Sequence, residues 1–232
     1  TIAGVERVGP TLYVLSGDAL HSYNTTNGVF STTYDLSTLG LAYDGVSLLS
    51  WPAGASAAPD NDGLLVDDGS GQLIHLSPNQ TPFVEGTILL ASAPATDDMT
   101  ALVELDNVLY IGSGDNSMVV LRYDVGSAAW LTPLDVSDNV LDMTVATNAA
   151  GTTSLFLAME GSPVVEEMDP AGTVLQTYDG TAGCYSSSTT VLSMVADANS
   201  VVMSLDGGVF VHFDRANGGC TAYDTTNGLP TS

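Results

Sequence analysis

The sequence predicts an all-β fold, a β-propeller with five four-stranded antiparallel blades that repeat about every 46 residues. The first observation is a short apolar run ending in glycine, which recurs five times along the 232 residues. The second is that the runs are rich in Val, Leu, Tyr and Phe and are bounded by Gly, Asp, Asn and Pro, as strands are. The third is that no stretch keeps a 3.6-residue apolar period long enough to predict a helix.

The recurring apolar run defines the repeat. Each run ends in a glycine five or six residues on, where a tight hairpin favours a positive φ. The starts lie 52, 45, 46 and 46 residues apart, at Leu12, Leu64, Leu109, Leu155 and Val201. The longer first interval contains residues 52–62, a small-residue stretch with Pro that we interpret as a surface loop.

Three more apolar runs complete each repeat, so that each repeat supplies four strands. A four-stranded sheet exposes two apolar faces, and stacking such sheets around an axis buries them. We therefore predict one domain over residues 1–232, with a β-sandwich as the rival that would not explain the period. A fragment of a larger propeller and a dimeric ring remain alternatives. The blades are expected at about 1–38, 39–92, 93–138, 139–187 and 188–232.

The charge is strongly one-sided, with 27 acidic residues, three Arg, no Lys and a formal net charge of -24. Nucleic acids and anionic membranes need Lys and Arg to neutralise phosphate, so the composition argues against both as partners. It is compatible with cations, neutral sugars or a basic protein. No window approaches the roughly 18 uninterrupted apolar residues of a membrane span, so we expect no membrane insertion.

Two stretches carry a family resemblance. "LYIGSGDNSMVVLRYD" (109–124) and "YDTTNGLPTS" (223–232) resemble the blades of the sensor propellers of hybrid two-component regulators. Arg122-Tyr123-Asp124 and Asn227-Gly228-Leu229-Pro230 match best, and the looser matches are His212-Phe213-Asp214 and Glu167-Met168-Asp169. The resemblance implies a non-catalytic module that recognises a protein or small ligand outside the cytoplasm, in the periplasm or at the cell surface.

A second resemblance is architectural only. Five blades of this length are similar to five-bladed lectins of the tachylectin type, although their sequence motif is absent. This likeness implies a carbohydrate-binding propeller as the alternative function, and a glycoside hydrolase or lyase ranks below it because the sequence has no GxSxG, P-loop or HExxH motif. We predict no catalytic residue, and a homodimer is left open.

One repeat column gathers polar residues two positions before the turn that ends the second strand. It contains Ser22, His75, Arg122, Glu167 and His212. Because equivalent positions in a ring point the same way, His75, Arg122, Glu167 and His212 are candidate ligand-binding residues. The alternative interpretation is a half-buried polar position in each sheet.

Two further groups are candidates for other roles. Asp60-Asn61-Asp62-Gly63, followed by Asp67 and Asp68, resembles part of a calcium loop, so Asp60, Asp62, Asp67 and Asp68 are candidate Ca²⁺ ligands, with ordinary turn residues as the alternative. No other cofactor is predicted. Cys184 and Cys220 are a candidate disulfide of an exported protein, with two free buried thiols as the alternative.

Overall fold

The chain is all-β. The computed structural model describes residues 2–17, 19–35, 48–50, 64–67, 73–77, 84–88, 99–114, 118–127, 129–160, 164–180, 183–185, 189–224 and 226–227. These residues form antiparallel sheets and no α-helix, which confirms the all-β prediction and the repeated, propeller-like arrangement of strands. None of the described residues belongs to a helix long and apolar enough to cross a membrane.

Each sheet is built from strands that follow one another in the chain, as short hairpin turns require. The first sheet has the order β1 (Ile2–Val8), β2 (Thr11–Ser16), β3 (Ala19–Asn24) and β4 (Val29–Asp35). The second has the order β5 (Leu48–Ser50), β6 (Leu64–Asp67), β7 (Leu73–Ser77) and β8 (Val84–Ile88).

The third sheet departs from the predicted pattern. Its described strands are β9 (Met99–Leu105), β10 (Val108–Ser113), β11 (Val119–Asp124), β12 (Ala129–Trp130) and β13 (Leu134–Asp135). Both β12 and β13 pair with β11, so its outer strand is broken into two pieces. Pro133 lies between the pieces and has no N–H to donate to the ladder, which accounts for the break. The prediction of five four-stranded blades is therefore wrong in this respect, and four of the described sheets fit it.

The fourth and fifth sheets return to four strands. The fourth has the order β14 (Val140–Thr147), β15 (Thr153–Met159), β16 (Val165–Met168) and β17 (Val174–Tyr178). The fifth has the order β18 (Val191–Ala196), β19 (Ser200–Leu205), β20 (Val209–Asp214) and β21 (Cys220–Tyr223).

The contacts divide the chain into two compact units. One comprises residues 1–109 and 122–131 and holds the first and second sheets, with β5 beside β1. The other comprises residues 110–121 and 132–232 and holds the fourth and fifth sheets, with β14 beside β18. The candidate site lies in the second unit. The prediction of a single domain over residues 1–232 stays a prediction.

An apolar core joins the fourth and fifth sheets. Phe156, Tyr178 and Phe213 are fully buried there, with ring centroids 6.4 Å apart for Phe156 and Tyr178 and 5.5 Å apart for Tyr178 and Phe213. At the adjoining strands, the Asp142 carboxylate accepts backbone N–H groups from Met194 at 2.7 Å and from Met143 at 2.9 Å. The two sheets therefore share both apolar packing and a hydrogen bond that crosses between them.

The turn between β16 and β17 packs against the third sheet through a glycine. Gly172 has a φ of +97°, and a Cβ added to it would lie 3.0 Å from Leu134 Cδ2. Gly207, in the turn between β19 and β20, has a φ of +78° and nothing within 4 Å of such a Cβ. The two glycines thus share the backbone requirement and differ in the space around them.

We expect Gly172→Ala to destabilise the protein more than Gly207→Ala. The left-handed backbone conformation costs an L-residue about 1–2 kcal/mol at either position, and the contact with Leu134 adds about 1 kcal/mol at position 172 alone. Urea unfolding of both variants measures the difference. Equal losses for the two variants would show that Leu134 moves aside and that the packing is not tight.

Candidate functional site

The candidate site is a pocket of about 500 Å³ between the fourth and fifth sheets. It opens at the end of the sheets where three hairpin turns meet: β14 to β15, β18 to β19 and β20 to β21. Such a volume suits a small ligand rather than a single water or ion. Its lining comprises Asn148, Ala149, Ala150, Glu167, Leu175, Gln176, Ala198, Asn199, Asp214, Arg215 and Ala216.

The rim of the pocket is held by side-chain hydrogen bonds within the turns. In each of the three turns an Asn or Asp oxygen accepts the backbone N–H two residues later, at 2.9 Å for Asn148, 2.8 Å for Asp197 and 2.8 Å for Asp214. Asn and Asp favour such turns because their short side chains replace a backbone acceptor. The alanines that follow them therefore face the pocket from fixed positions and leave it open.

A buried ion pair forms the floor of the pocket. Arg215 Nη2 donates to Glu167 Oε1 at 2.6 Å, and the side chains are 6% and 8% exposed, respectively. Tyr178 OH donates to the other oxygen, Glu167 Oε2, at 2.7 Å. Both carboxylate oxygens are thus occupied by donors, which is the condition for a stable buried charge.

Arg215 spans the two sheets. Its backbone belongs to the turn after β20, and its Nη1 donates to the Asp197 carbonyl oxygen at 2.6 Å. Its guanidinium carbon lies 4.8 Å from the centre of the Phe156 ring on β15, a cation–π arrangement. One side chain of the fifth sheet is therefore fixed by three groups, two of which belong to the fourth sheet.

The pKa values follow from these contacts. Burial raises the pKa of the Glu167 carboxyl, but hydrogen bonds from Tyr178 and Arg215 outweigh burial and hold the pKa below its ordinary value of 4.5. Burial and the adjacent Glu167 carboxylate both raise the pKa of the Tyr178 hydroxyl above its ordinary value of 10.0. At neutral pH the floor therefore consists of an ionised carboxylate, a guanidinium and a neutral phenol.

A β-bulge shapes the apolar wall of the pocket. Glu167 pairs with Gln176 and Met168 pairs with Val174, so Leu175 is an extra residue in β17. Bulges redirect side chains and are frequent beside functional sites. Leu175 lines the pocket and is 52% exposed, so it offers a ligand an apolar surface.

The predicted polar column is reproduced in the register of the sheets, and the ligand-binding role of His75, Arg122, Glu167 and His212 stays a prediction. Ser22, Glu167 and His212 pair with Tyr13, Phe156 and Val202, at equivalent positions of their sheets. Of the column, Glu167 alone lines the described pocket. The backbone of His75 pairs with Leu65, and the His75 side chain is not among the described parts of the structure. Arg122 and His212 are partly exposed on the third and fifth sheets and do not line this pocket.

No sequence motif indicates Arg215 as a site residue. It is one of three cations in the chain and lies in a turn, where an exposed side chain is the ordinary expectation. The scarcity of cations is the one signal in the sequence, because a cation among 27 acidic residues has many carboxylates with which it can pair. Its partner could not be named from sequence, since Glu167 is 48 residues away.

The predicted calcium ligands remain untested. Asp60, Asp62 and Asp68 lie outside the described residues, and only the backbone of Asp67, at the end of β6, is described. Among the residues that the structure does describe, no three His, Cys, Asp or Glu side chains are placed to hold a metal ion.

Cys184 and Cys220 are joined by a disulfide, with their Cα atoms 6.2 Å apart. Cys220 pairs with Phe213 at the start of β21, directly after the turn that carries Arg215. Tyr185 packs edge-on against the same Phe213, with ring centroids 6.3 Å apart. The bond thus ties the segment 183–185 to the strand beside the pocket.

We expect Glu167→Gln to remove a pH-dependent part of the stability. The folded-state pKa of Glu167 lies below 4.5, so its contribution is present above about pH 4.5 and is lost as the pH falls through the folded-state value. At pH 7 the variant should be less stable by about 2–3 kcal/mol, because Arg215 keeps a largely buried charge without its partner. Urea unfolding between pH 7 and pH 3 measures the difference in free energy of unfolding between the wild type and the variant. This difference should become smaller on acidification.

Glu6→Gln in the first sheet is the matched control, since it removes one carboxylate outside the site. Its stability at pH 7 should differ from the wild type by no more than about 0.5 kcal/mol. A gap between wild type and Glu167→Gln that stays constant from pH 7 to pH 3 would contradict the assigned ion pair.

Comparisons with known proteins assign no family. No protein-family model matches the chain, and no curated protein matches it significantly. The resemblances to sensor propellers and to tachylectin-type lectins therefore stay predictions.

Proposed function

We propose that this protein is a non-catalytic recognition module that binds a small ligand in the pocket between its fourth and fifth sheets. The observation that carries the proposal is the convergence of three hairpin turns from two sheets around one cavity of about 500 Å³. Ligand sites are typically concave, largely pre-formed and furnished with a few oriented polar groups.

The lining supports binding because it combines room with fixed polarity. Four of its residues are alanines, and Leu175 adds an apolar wall. The Glu167–Arg215 pair and the turn hydrogen bonds hold the surrounding backbone before any ligand arrives. A pre-organised site binds without a large ordering cost.

The state of Glu167 supports binding rather than catalysis. A general acid or base needs a pKa near the working pH and a free oxygen directed at the substrate. The Glu167 pKa lies below 4.5, and both of its oxygens accept hydrogen bonds within the protein. The Glu167 carboxylate is therefore suited to holding structure.

The finer architecture and setting belong to the same proposal. Consecutive antiparallel sheets support a propeller-like arrangement of blades. The resemblance of residues 109–124 and 223–232 to sensor propellers supports recognition outside the cytoplasm, in the periplasm or at the cell surface. The fifth sheet exposes Val195, Phe210 and Tyr223 on its outer face, which supports a contact with a protein partner or a second copy. Mass measurement in solution distinguishes a monomer from a dimer.

We expect Ala198→Trp to abolish ligand binding without unfolding the protein. Ala198 lies in the β18–β19 turn and lines the pocket, so an indole there would occupy the ligand's space. The measurement is a thermal-shift and isothermal-titration screen of a small-molecule and glycan library against wild type and variant. A hit should bind the wild type and bind the variant at least about tenfold more weakly.

Ala129→Trp is the control, because Ala129 is exposed on β12 and does not line the pocket. It should bind every hit as the wild type does. If the library hits bind Ala198→Trp unchanged, or are turned over at enzyme-like rates, the proposed function is wrong.

A carbohydrate ligand is the second candidate, favoured by three amide side chains in the lining: Asn148, Gln176 and Asn199. Amides donate and accept hydrogen bonds, as sugar hydroxyls do, and the apolar Leu175 side chain can contact the C–H face of a sugar. The described part of the lining offers no aromatic side chain on which a sugar could stack, which makes this candidate the weaker one.

If the ligand is a carbohydrate, Gln176→Leu should lower affinity about tenfold, since a buried sugar hydroxyl would lose its partner. Thr177→Val on the same strand is the control, because Thr177 is exposed and does not line the pocket. A glycan array identifies the sugar, and titration compares the variants. A silent array, or equal affinity for both variants, counts against this candidate.

A further inference from the structure

The charges that line the pocket between the fourth and fifth sheets are unequal. Among the described lining residues, the titratable groups are the carboxylates of Glu167 and Asp214 and the guanidinium of Arg215, which gives an excess of one negative charge. The Asp197 carboxylate, in the turn that supplies Ala198 and Asn199, adds to this excess. Hydrogen bonds from the Asn199 and Ser200 backbone hold the pKa of Asp197 below its ordinary value, so this carboxylate is ionised at neutral pH.

The guanidinium among the described lining residues is already engaged within the protein. Arg215 uses Nη2 for Glu167 and Nη1 for the Asp197 carbonyl oxygen, and its side chain is only 6% exposed. An anionic ligand at this guanidinium would lie beside the Glu167 carboxylate, which repels it. The net charge of -24 would also oppose its approach.

Asp214 presents its charge at the rim. It accepts the Ala216 backbone N–H at 2.8 Å and the Asn217 side-chain amide at 2.9 Å, and these contacts fix the carboxylate without neutralising it. In the same lining, Leu175 and the alanines supply an apolar surface. A fixed anion beside an apolar wall matches a ligand that has a charged end and an aliphatic stem.

Resting on the proposed function, we propose that this pocket selects a ligand that carries a protonated amine or a guanidinium on an aliphatic stem. The cation lies against the Asp214 carboxylate, and the stem lies along Leu175 and Ala216. A bare metal ion is a poorer fit, because no group of three side-chain ligands is gathered among the described residues. The ligand's source is either a free amine or a Lys or Arg side chain of a partner protein.

The test is a matched set of probes that share one stem: pentylamine, pentanol and pentanoate. Binding is followed at low salt by amide shifts of ¹⁵N-labelled protein. Pentylamine should shift the resonances of Leu175, Ala198 and Ala216, and pentanol and pentanoate should bind at least about fivefold more weakly. Raising the salt to about 0.5 M should weaken pentylamine binding, since screening then acts within a few ångströms.

Asp214→Asn should lower pentylamine affinity about fivefold, because it removes the charge and keeps the turn's acceptor oxygen. Asp224→Asn is the matched control. Asp224 also accepts the backbone N–H two residues later, at 2.7 Å, but it follows β21 at the opposite end of the sheet and does not line the pocket. It should change affinity by less than about twofold.

Several outcomes overturn the inference. Suppose that pentanol or pentanoate binds as tightly as pentylamine or more tightly, and that Ala198→Trp blocks this binding. The pocket would then bind small ligands, as proposed, but it would not select a positive charge. Pentylamine shifts that persist in Ala198→Trp, equal effects of Asp214→Asn and Asp224→Asn, or no binding by any probe would also disprove it. Replacing pentylamine with a blocked lysine peptide distinguishes the sources, because a protein ligand should bind more tightly as the peptide.

Discussion

The arrangement of the site depends on one ion pair, between Glu167 of the fourth sheet and Arg215 of the fifth. Two buried charges are stable only if their remaining hydrogen-bonding atoms are satisfied, and here Tyr178 and the Asp197 carbonyl oxygen do this. Because these partners come from different strands, the pair positions the strands as well as itself. The pocket is open because its floor is already occupied by groups that satisfy one another.

The walls of the pocket follow from how strands are joined. Antiparallel strands need tight turns, and Asp and Asn initiate them by accepting backbone N–H groups two residues on. The same chemistry that closes each hairpin leaves small residues at the turn tips and carboxylates at the rim. Part of the negative charge of this chain is thus a consequence of its turns. The attraction of this charge for a ligand is a by-product of turn formation.

The strands could be predicted from sequence and the site could not. Alternating apolar runs and Gly-containing turns are local signals, so the all-β repeat and the register of the polar column could be predicted from the sequence. Pro133 is also a local signal, but the break that separates β12 from β13 depends on how both strands pair with β11, which the sequence does not show. The Glu167–Arg215 pair is a contact between residues far apart in sequence, and a single sequence gives no evidence of such contacts.

The disulfide places a further constraint on the same site. Cys220 begins β21 immediately after the Arg215 turn, and its partner Cys184 precedes Tyr185, whose ring packs on Phe213. Phe213 in turn contacts Tyr178, which donates to Glu167. A continuous series of contacts therefore runs from the disulfide to the floor of the pocket. Because the disulfide is covalent and Phe213 and Tyr178 are fully buried, this series of contacts links the position of β21 to the groups that hold the ion pair.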